Sequence, residues 1–251
     1  MTGHEYLARL LDSQKMLTKD LMRLRQLREK IEELLRSRYG SYPRIYYGGS
    51  YGKKTMIRSF FDLDLVIYFP YTERSSLRSI YNSVCETLRN DRYLVNPKTV
   101  SLQLPYEGNF HIDVVPGRAQ DNSYYYATLY KNGEDTTMQT SIKIHIDTVR
   151  DSGVRDIIKL MKLWRVHHSL AWKTFALEQT VIRALEGKDK DNYDQCFMNV
   201  FEYIHKNILT MRVVDPANKN NVIEIPKQTR LAVSEAAVKA LNASYWSQVV
   251  W

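Results

Sequence analysis

The chain has 251 residues, a formal net charge of +8 and a pI near 9.3, a length that builds one large or two small domains and a charge that favours anionic partners such as nucleoside triphosphates or nucleic acid. Its two cysteines, Cys85 and Cys196, stand far apart, which argues against a disulfide framework or a zinc-ligand cluster. No apolar run reaches the length of a membrane span and the start lacks a signal-peptide pattern, so a cytoplasmic protein with no membrane partner is expected.

Residues 3–38 read as one long helix. Leu7, Leu10, Leu11, Leu17, Leu21, Leu24, Ile31, Leu34 and Leu35 recur at helical spacing, with no Pro or Gly inside the repeat. The other face carries Arg23, Arg25, Arg28, Lys30, Arg36 and Arg38, which suits either a solvated bracing helix or a surface for nucleic acid or a partner. Gly40-Ser41-Tyr42-Pro43 supplies the breakers that end it.

A β-favouring run at residues 44–47 then stops at Gly48-Gly49-Ser50, where a tight turn and a short helical segment are expected. The stretch GGSYGKKT does not fit a P-loop: only three residues separate Gly48 from Gly52, and Lys53 is followed by Lys54 instead of Ser or Thr. From Asp62 the pattern alternates as DLDLVIYF, a strand with Asp62 and Asp64 on one face and Leu63 and Leu65 on the other. Two neighbouring carboxylates repel, and a divalent cation between them is the simplest remedy.

A helix capped by Thr72 or Ser75 follows, with Leu77, Ile80, Tyr81, Val84 and Leu88 on its buried face. Residues 99–104 and 109–115 read as strands joined by a hairpin turn over 106–109, and the second places Asp113 among β-branched apolar residues. The hairpin can bring Asp113 beside Asp62 and Asp64. Three carboxylates suit two Mg²⁺ ions, which take oxygen ligands and leave positions for water and phosphate. Pro116-Gly117 is read as closing this layer. Strands interleaved with helices indicate a mixed sheet.

Residues 118–150 carry weaker signals: a strand through Tyr124-Tyr125-Tyr126 and Leu129-Tyr130, and a turn at Asn132-Gly133. His111, His145, His167 and His168 form no pattern with zinc spacing. Residues 154–168 are strongly helical, with Ile157, Leu160, Met161 and Trp164 as the apolar stripe and Arg155, Lys159 and Lys162 along another face. Helices over 174–185, 192–210 and 229–245 follow, and residues 215–221 read as a turn-rich loop.

The ordered set Gly49-Ser50, Asp62-x-Asp64 and Asp113 resembles the signature of the DNA polymerase β-type nucleotidyltransferase superfamily. The C-terminal half, with IKLMKLWR at 158–165, TFALE at 174–178 and the 215–221 loop, is similar to its oligoadenylate synthetase and cyclic GMP-AMP synthase branch. The likeness is greatest to the bacterial cGAS/DncV-like nucleotidyltransferases (CD-NTases) of antiphage signalling. The resemblance implies an α+β fold: a polymerase β-like core with a mixed sheet and flanking helices over residues 1–150, braced by the long N-terminal helix, and a helical domain over 151–251 that completes the nucleotide pocket. It implies that Asp62, Asp64 and Asp113 are catalytic and hold two Mg²⁺ ions, with Mn²⁺ able to substitute. It also implies that Gly49, Ser50, Lys162 (with Lys159 as the alternate) and Thr174 meet the triphosphate while Phe175 stacks on the base. Thr174 departs from the family's serine but keeps the hydroxyl. Zinc-loop cysteines that grip duplex DNA in the animal sensor are absent.

The implied activity joins triphosphates (ATP, GTP or others) into a cyclic or short linear oligonucleotide messenger, releasing pyrophosphate. A nucleic-acid or protein activator and a separate effector protein that responds to the product are the implied partners. Two alternatives stay open on sequence: a template-independent polymerase extending an RNA or DNA end, and a non-catalytic nucleotide or nucleic-acid binding module.

Overall fold

The computed structural model describes residues 1–108 and 110–251. Asn109, expected in the hairpin turn and at the head of the Asp113 strand, lies outside the described residues. The architecture is α+β and the chain separates into two compact units. One comprises Leu17–Lys54 and Phe61–Ile146, the other Met1–Met16, Thr55–Phe60 and Asp147–Trp251.

The long helix expected over 3–38 is two helices, α1 (Gly3–Ser13) and α2 (Thr18–Tyr39). The break has a cause that the leucine repeat does not carry. Gln14 leaves the helix as its C-cap, its carbonyl accepts from the Arg58 backbone N–H at 3.0 Å, and its side-chain oxygen accepts from the Ser59 N–H and hydroxyl at 3.1 and 2.7 Å. Leu17, in extended conformation, then starts α2.

The sheet unit contains α2, β1 (Arg44–Tyr47), α3 (Gly49–Lys53), β2 (Leu63–Phe69), α4 (Leu77–Asn90), β3 (Asn96–Pro97), β4 (Leu102–Pro105), β5 (His111–Ala119), β6 (Ala127–Lys131) and β7 (Thr136–Thr140). The strand order is β1-β2-β5-β4-β3, with β6 also on β5 and β7 on β6. Only the central β2–β5 pairing is parallel among the described strands, which makes the sheet mixed. β5 runs on through Pro116 and Gly117, where the sequence suggested a stop. Gly117 pairs with Leu129 of β6, and a Cβ there would lie 2.5 Å from Leu129 Cδ2 and 3.1 Å from the Thr128 carbonyl, so a side chain at 117 would require the Leu129 side chain to shift. The three tyrosines at 124–126 precede β6 and do not form part of it. Ser76 caps α4 through the Ser79 N–H, and α4 lies across β5 and β6 with Ile80, Val84 and Leu88 buried.

α5 (Ile142–Asp151) spans the changeover at Ile146 and Asp147. The helical unit contains α1, α6 (Arg155–His167), α7 (Thr174–Ala184), α8 (Tyr193–Asn207), β8 (Val213–Asp215), β9 (Asn218–Ile223) and α9 (Lys227–Leu241). Its core joins Leu7, Ile57, Trp164, Trp172, Phe197 and Phe201. The 215–221 segment is a β-hairpin instead of an open loop. Asp215, 3 % exposed, accepts from the Ala217 N–H and the Asn221 side chain at 2.8 and 3.2 Å, which closes the turn around one side chain. No helix among the described residues is long and apolar enough to cross a membrane.

Candidate active site

In the sheet unit, β1 delivers the chain to Gly48, whose N–H donates to the Asp64 carbonyl at 2.8 Å. This bond seats the glycine turn against β2. Gly49 then adopts φ +46°, and a Cβ on it would lie 1.6 Å from Asp64 Oδ2. Left-handed backbone and contact with a carboxylate both demand glycine there. Ser50 follows within α3.

Asp64 and Asp113 are register partners on β2 and β5. Adjacent strands lie about 4.8 Å apart, so alternation brings the two carboxylates to one face of the sheet. Asp62 stands one residue ahead of β2, where the sequence placed it inside the strand. Its partner is His111, two residues before Asp113 on the same face of β5. His111 Nε2 lies 3.3 Å from Asp113 Oδ2 and 3.8 Å from Asp62 Oδ2. Ser101 donates its hydroxyl to Asp113 Oδ1 at 3.0 Å. Asp62, Asp113 and His111 keep between 20 % and 26 % of their side-chain surface exposed. His111 and Ser101 were not singled out from sequence. The two-residue spacing of His111 and Asp113 was the available signal for the first; Ser101 had none.

The donor chemistry of this cluster fits magnesium: hard carboxylate oxygens, two from strands in register, with partial exposure that leaves room for water and phosphate. As they stand, no three His, Cys, Asp or Glu side chains among the described residues are gathered as a metal cage. The Asp64 carboxylate rests on Gly49 while Asp62 and Asp113 bracket His111.

In the helical unit, Lys159 pairs with Asp156 at 3.0 Å, and Asp156 also accepts from the Tyr193 hydroxyl at 2.9 Å. Burial, then that carboxylate, push the Tyr193 phenol up to about 12. Lys162 does not lie on an open face with Arg155 and Lys159. It is 4 % exposed and held in a buried cluster: Nζ lies 3.1 Å from Glu178 Oε1, 2.7 Å from Thr55 Oγ1 and 3.2 Å from the Thr55 carbonyl. Thr174, the first residue of α7, accepts at its hydroxyl from Arg165 Nη1 at 2.7 Å, and the same nitrogen donates to the Trp172 carbonyl at 2.9 Å. Phe175 is half-buried beside it.

No protein-family model matches the chain. It is 23 % identical over 264 aligned positions to the cyclic AMP-AMP-AMP synthase of Escherichia coli strain MS 115-1, covering 83 % of this chain and 82 % of that protein. The structure of E. coli MS115-1 CdnC with ATP superposes with a TM-score of 0.77 at 20 % identity, covering 99 % and 97 % of the two chains. The same CdnC in complex with HORMA-ΔN gives 0.75 at 19 % identity, covering 99 % and 96 %. The chain has the CD-NTase fold. The cyclic dinucleotide synthase CdnE of Elizabethkingia meningoseptica, solved with GTP and Apcpp, shares it with a TM-score of 0.74 at 16 % identity, covering 97 % and 100 %. On this CD-NTase fold, Gly49, Ser50, Asp64 and Asp113 come together in the sheet unit with Asp62 and His111 beside them. Lys159, Lys162, Thr174 and Phe175 lie on α6 and α7 of the helical unit.

Proposed function

We propose that this chain is a metal-dependent nucleotidyltransferase that joins nucleoside triphosphates into a cyclic or short linear oligonucleotide messenger and releases pyrophosphate. The observation that carries the reading is the register pairing of Asp64 with Asp113 behind a glycine turn that touches Asp64. The similarity to a cyclic AMP-AMP-AMP synthase over most of both chains supports it, and makes ATP the first substrate to test.

Asp62, Asp64 and Asp113 are the residues that would hold two Mg²⁺ ions, or Mn²⁺ in their place. When bound, such ions lower the pKa of an attacking hydroxyl and neutralise phosphate charge. Asp113 is assigned to take the proton of the attacking ribose hydroxyl, with Ser101 donating to one of its oxygens and His111 beside the other. The ribose oxygen forms its bond to the α-phosphorus, the bond from that phosphorus to the bridging oxygen breaks, and pyrophosphate leaves with the electron pair. Gly49 and Ser50 position the phosphates, the main demand of such transfers. Thr174 is assigned to the phosphates too, since Arg165 donates to its oxygen and leaves its own proton available for a phosphate oxygen. Lys159 and Lys162 are assigned to the triphosphate as well. Lys162 is already held by Glu178 and Thr55, so it would reach phosphate by exchanging one of these contacts. Phe175 is assigned to the base.

We place the enzyme in the cytoplasm, in antiphage signalling, with a separate effector protein that responds to the product. A HORMA-like protein is the activator to test, since CdnC of E. coli was solved with one.

The test is incubation of the purified chain with labelled triphosphates, singly and mixed, with Mg²⁺ or Mn²⁺, then phosphatase treatment and mass spectrometry. A phosphatase-resistant product that Asp64→Asn does not make is expected, and its mass separates ring from chain. Extension of an added primer with no product in its absence overturns the messenger reading in favour of a terminal transferase. Triphosphate binding with no pyrophosphate release under any condition, HORMA protein included, overturns catalysis altogether.

A further inference from the structure

The glycine turn is flanked by two tyrosines that the chemistry above does not use. Tyr47 is the last residue of β1, one position ahead of Gly48, and Tyr51 follows Ser50 inside α3. Their rings stack with centroids 4.0 Å apart and planes inclined by 22°. The stack therefore ties the residue entering the turn to the residue leaving it. Helix α2 holds this stack in place. The Arg28 guanidinium lies 4.3 Å over the Tyr47 ring, and Arg28 Nη2 donates to the Ile45 carbonyl of β1 at 3.3 Å. Glu32, one turn along, forms an ion pair with the same guanidinium, with Nε 3.2 Å from Oε2 but no hydrogen bond made by that nitrogen among the described residues. The neighbouring Tyr51 phenol raises the pKa of the Arg25 guanidinium, one turn earlier on α2, above its ordinary value. Burial is the largest influence on Tyr47 and raises its phenol.

These contacts have a shared consequence. A three-residue backbone turn has many accessible conformations, and Gly48 and Gly49 widen that choice. Here the choice is narrowed from three directions: the bond from Gly48 N–H to the Asp64 carbonyl, the bond from Gly52 N–H to the Gly48 carbonyl at 2.8 Å as α3 begins, and the tyrosine stack gripped from α2. A guanidinium is suited to this grip, because it is flat enough to cover a ring while its in-plane N–H groups bond elsewhere.

We propose that Arg28 is a positioning residue for the triphosphate, acting through the Tyr47–Tyr51 stack to hold the Gly48–Ser50 turn in its phosphate-binding conformation. The proposal rests on the reading that this turn binds triphosphate. It gives part of the basic face of α2 a role in the reaction distinct from solvation or nucleic-acid binding. Preorganisation of a phosphate contact acts on ground and transition states alike, so its loss shows in affinity more than in turnover.

The experiment measures ATP and GTP binding by calorimetry and steady-state kinetics with Mg²⁺, for the full chain and four variants. Arg28→Met and Tyr51→Leu each remove one side of the grip, Arg28→Lys returns the charge without the flat fork, and Arg36→Met serves as control. Arg36 is on the same helix and also bonds Glu32, at 2.6 Å, while the guanidinium over the Tyr47 ring is that of Arg28. Arg28→Met and Tyr51→Leu are expected to raise Kd and KM for the triphosphate about five- to tenfold with kcat within about twofold. Arg28→Lys should fall between wild type and Arg28→Met, and Arg36→Met should match wild type. The proposal is overturned if folded Arg28→Met and Tyr51→Leu bind triphosphate as wild type does. It is equally overturned if Arg36→Met shows the same loss, or if kcat falls in step with melting temperature while KM holds. Failure of the wild type to bind either triphosphate brings down the functional reading itself, and this inference with it. Normal wild-type binding with normal Arg28→Met binding brings down the inference alone.

Discussion

Asp64 and Asp113 are partners across the parallel β2–β5 pair, so the strand register itself sets two carboxylates side by side. Like charges at that spacing repel, and the fold gains once a cation lies between them. Mg²⁺ should therefore stabilise the wild type, by about 1.4 kcal/mol at ten times its Kd. Asp64→Asn should remove that gain, raise the melting temperature slightly in metal-free buffer, and lower turnover by roughly a thousandfold or more. Thermal shift with and without EDTA, beside the product assay, checks all three. Retained turnover in a folded Asp64→Asn protein would remove the carboxylate assignment.

Gly49→Ala probes the turn directly. The new methyl would need the Asp64 carboxylate to move and would strain a residue held at φ +46°. A left-handed alanine costs about 1–2 kcal/mol, so the chain should still fold. Displacement of Asp64 should nonetheless reduce product formation on the order of a hundredfold. Urea denaturation and the product assay separate the two effects, and an alanine variant with full activity would show that Asp64 need not rest on Gly49.

How far the sequence discloses this arrangement depends on whether a feature is local. Asp64 and Asp113 are partly exposed residues flanked by buried apolar ones, on a β5 whose burial largely alternates and a β2 buried continuously from Leu65 onward, so their elements and shared sheet were legible. The interruption between α1 and α2 was not, because leucines keep helical spacing through it and its cause is the remote segment at Arg58 and Ser59. The β8–β9 hairpin was hidden for a related reason: the residues look like a polar loop until Asp215 is buried and bonded. Lys162 is the clearest case. On helical spacing alone it shares a face with Lys159, yet Glu178 on α7 and Thr55 on a distant segment enclose it. No spacing rule within α6 anticipates partners from elsewhere in the chain.

That enclosure makes Lys162 a stability residue as well as a candidate ligand. Glu178 is fully buried, and removing its cation leaves an uncompensated charge. Breaking one side of a buried pair costs about 3–5 kcal/mol, whereas replacing both partners by apolar groups is often close to neutral. Lys162→Met should thus lower the urea midpoint strongly, and Lys162→Met with Glu178→Leu should recover most of the loss. Additive losses in the double variant would show that the two residues stabilise the fold separately. An inactive double variant that is fully stable would speak for a direct role of Lys162 in the reaction.

Alkaline pH gives a prediction for the sheet core. Tyr68 is fully buried on β2, and burial pushes its phenol up to about 12, against the smaller lowering from the Ile142 N–H that donates to its oxygen at 3.3 Å. The unfolded chain ionises this phenol near 10, while the folded chain holds it neutral. Stability from keeping Tyr68 neutral is thus fully present below pH 10 and is lost as pH rises from 10 to about 12, because the unfolded state binds fewer protons there. A shift of this size corresponds to roughly 2–3 kcal/mol. Tyr68→Phe should cost about 1 kcal/mol at neutral pH through the lost hydrogen bond, yet fall less steeply with pH than the wild type between 10 and 12. Urea unfolding at a series of pH values from 8 upward compares the two slopes. Parallel slopes would mean that the alkaline loss arises from other groups, with Tyr193 and Tyr81, each raised to about 12 mainly by burial, the next to substitute.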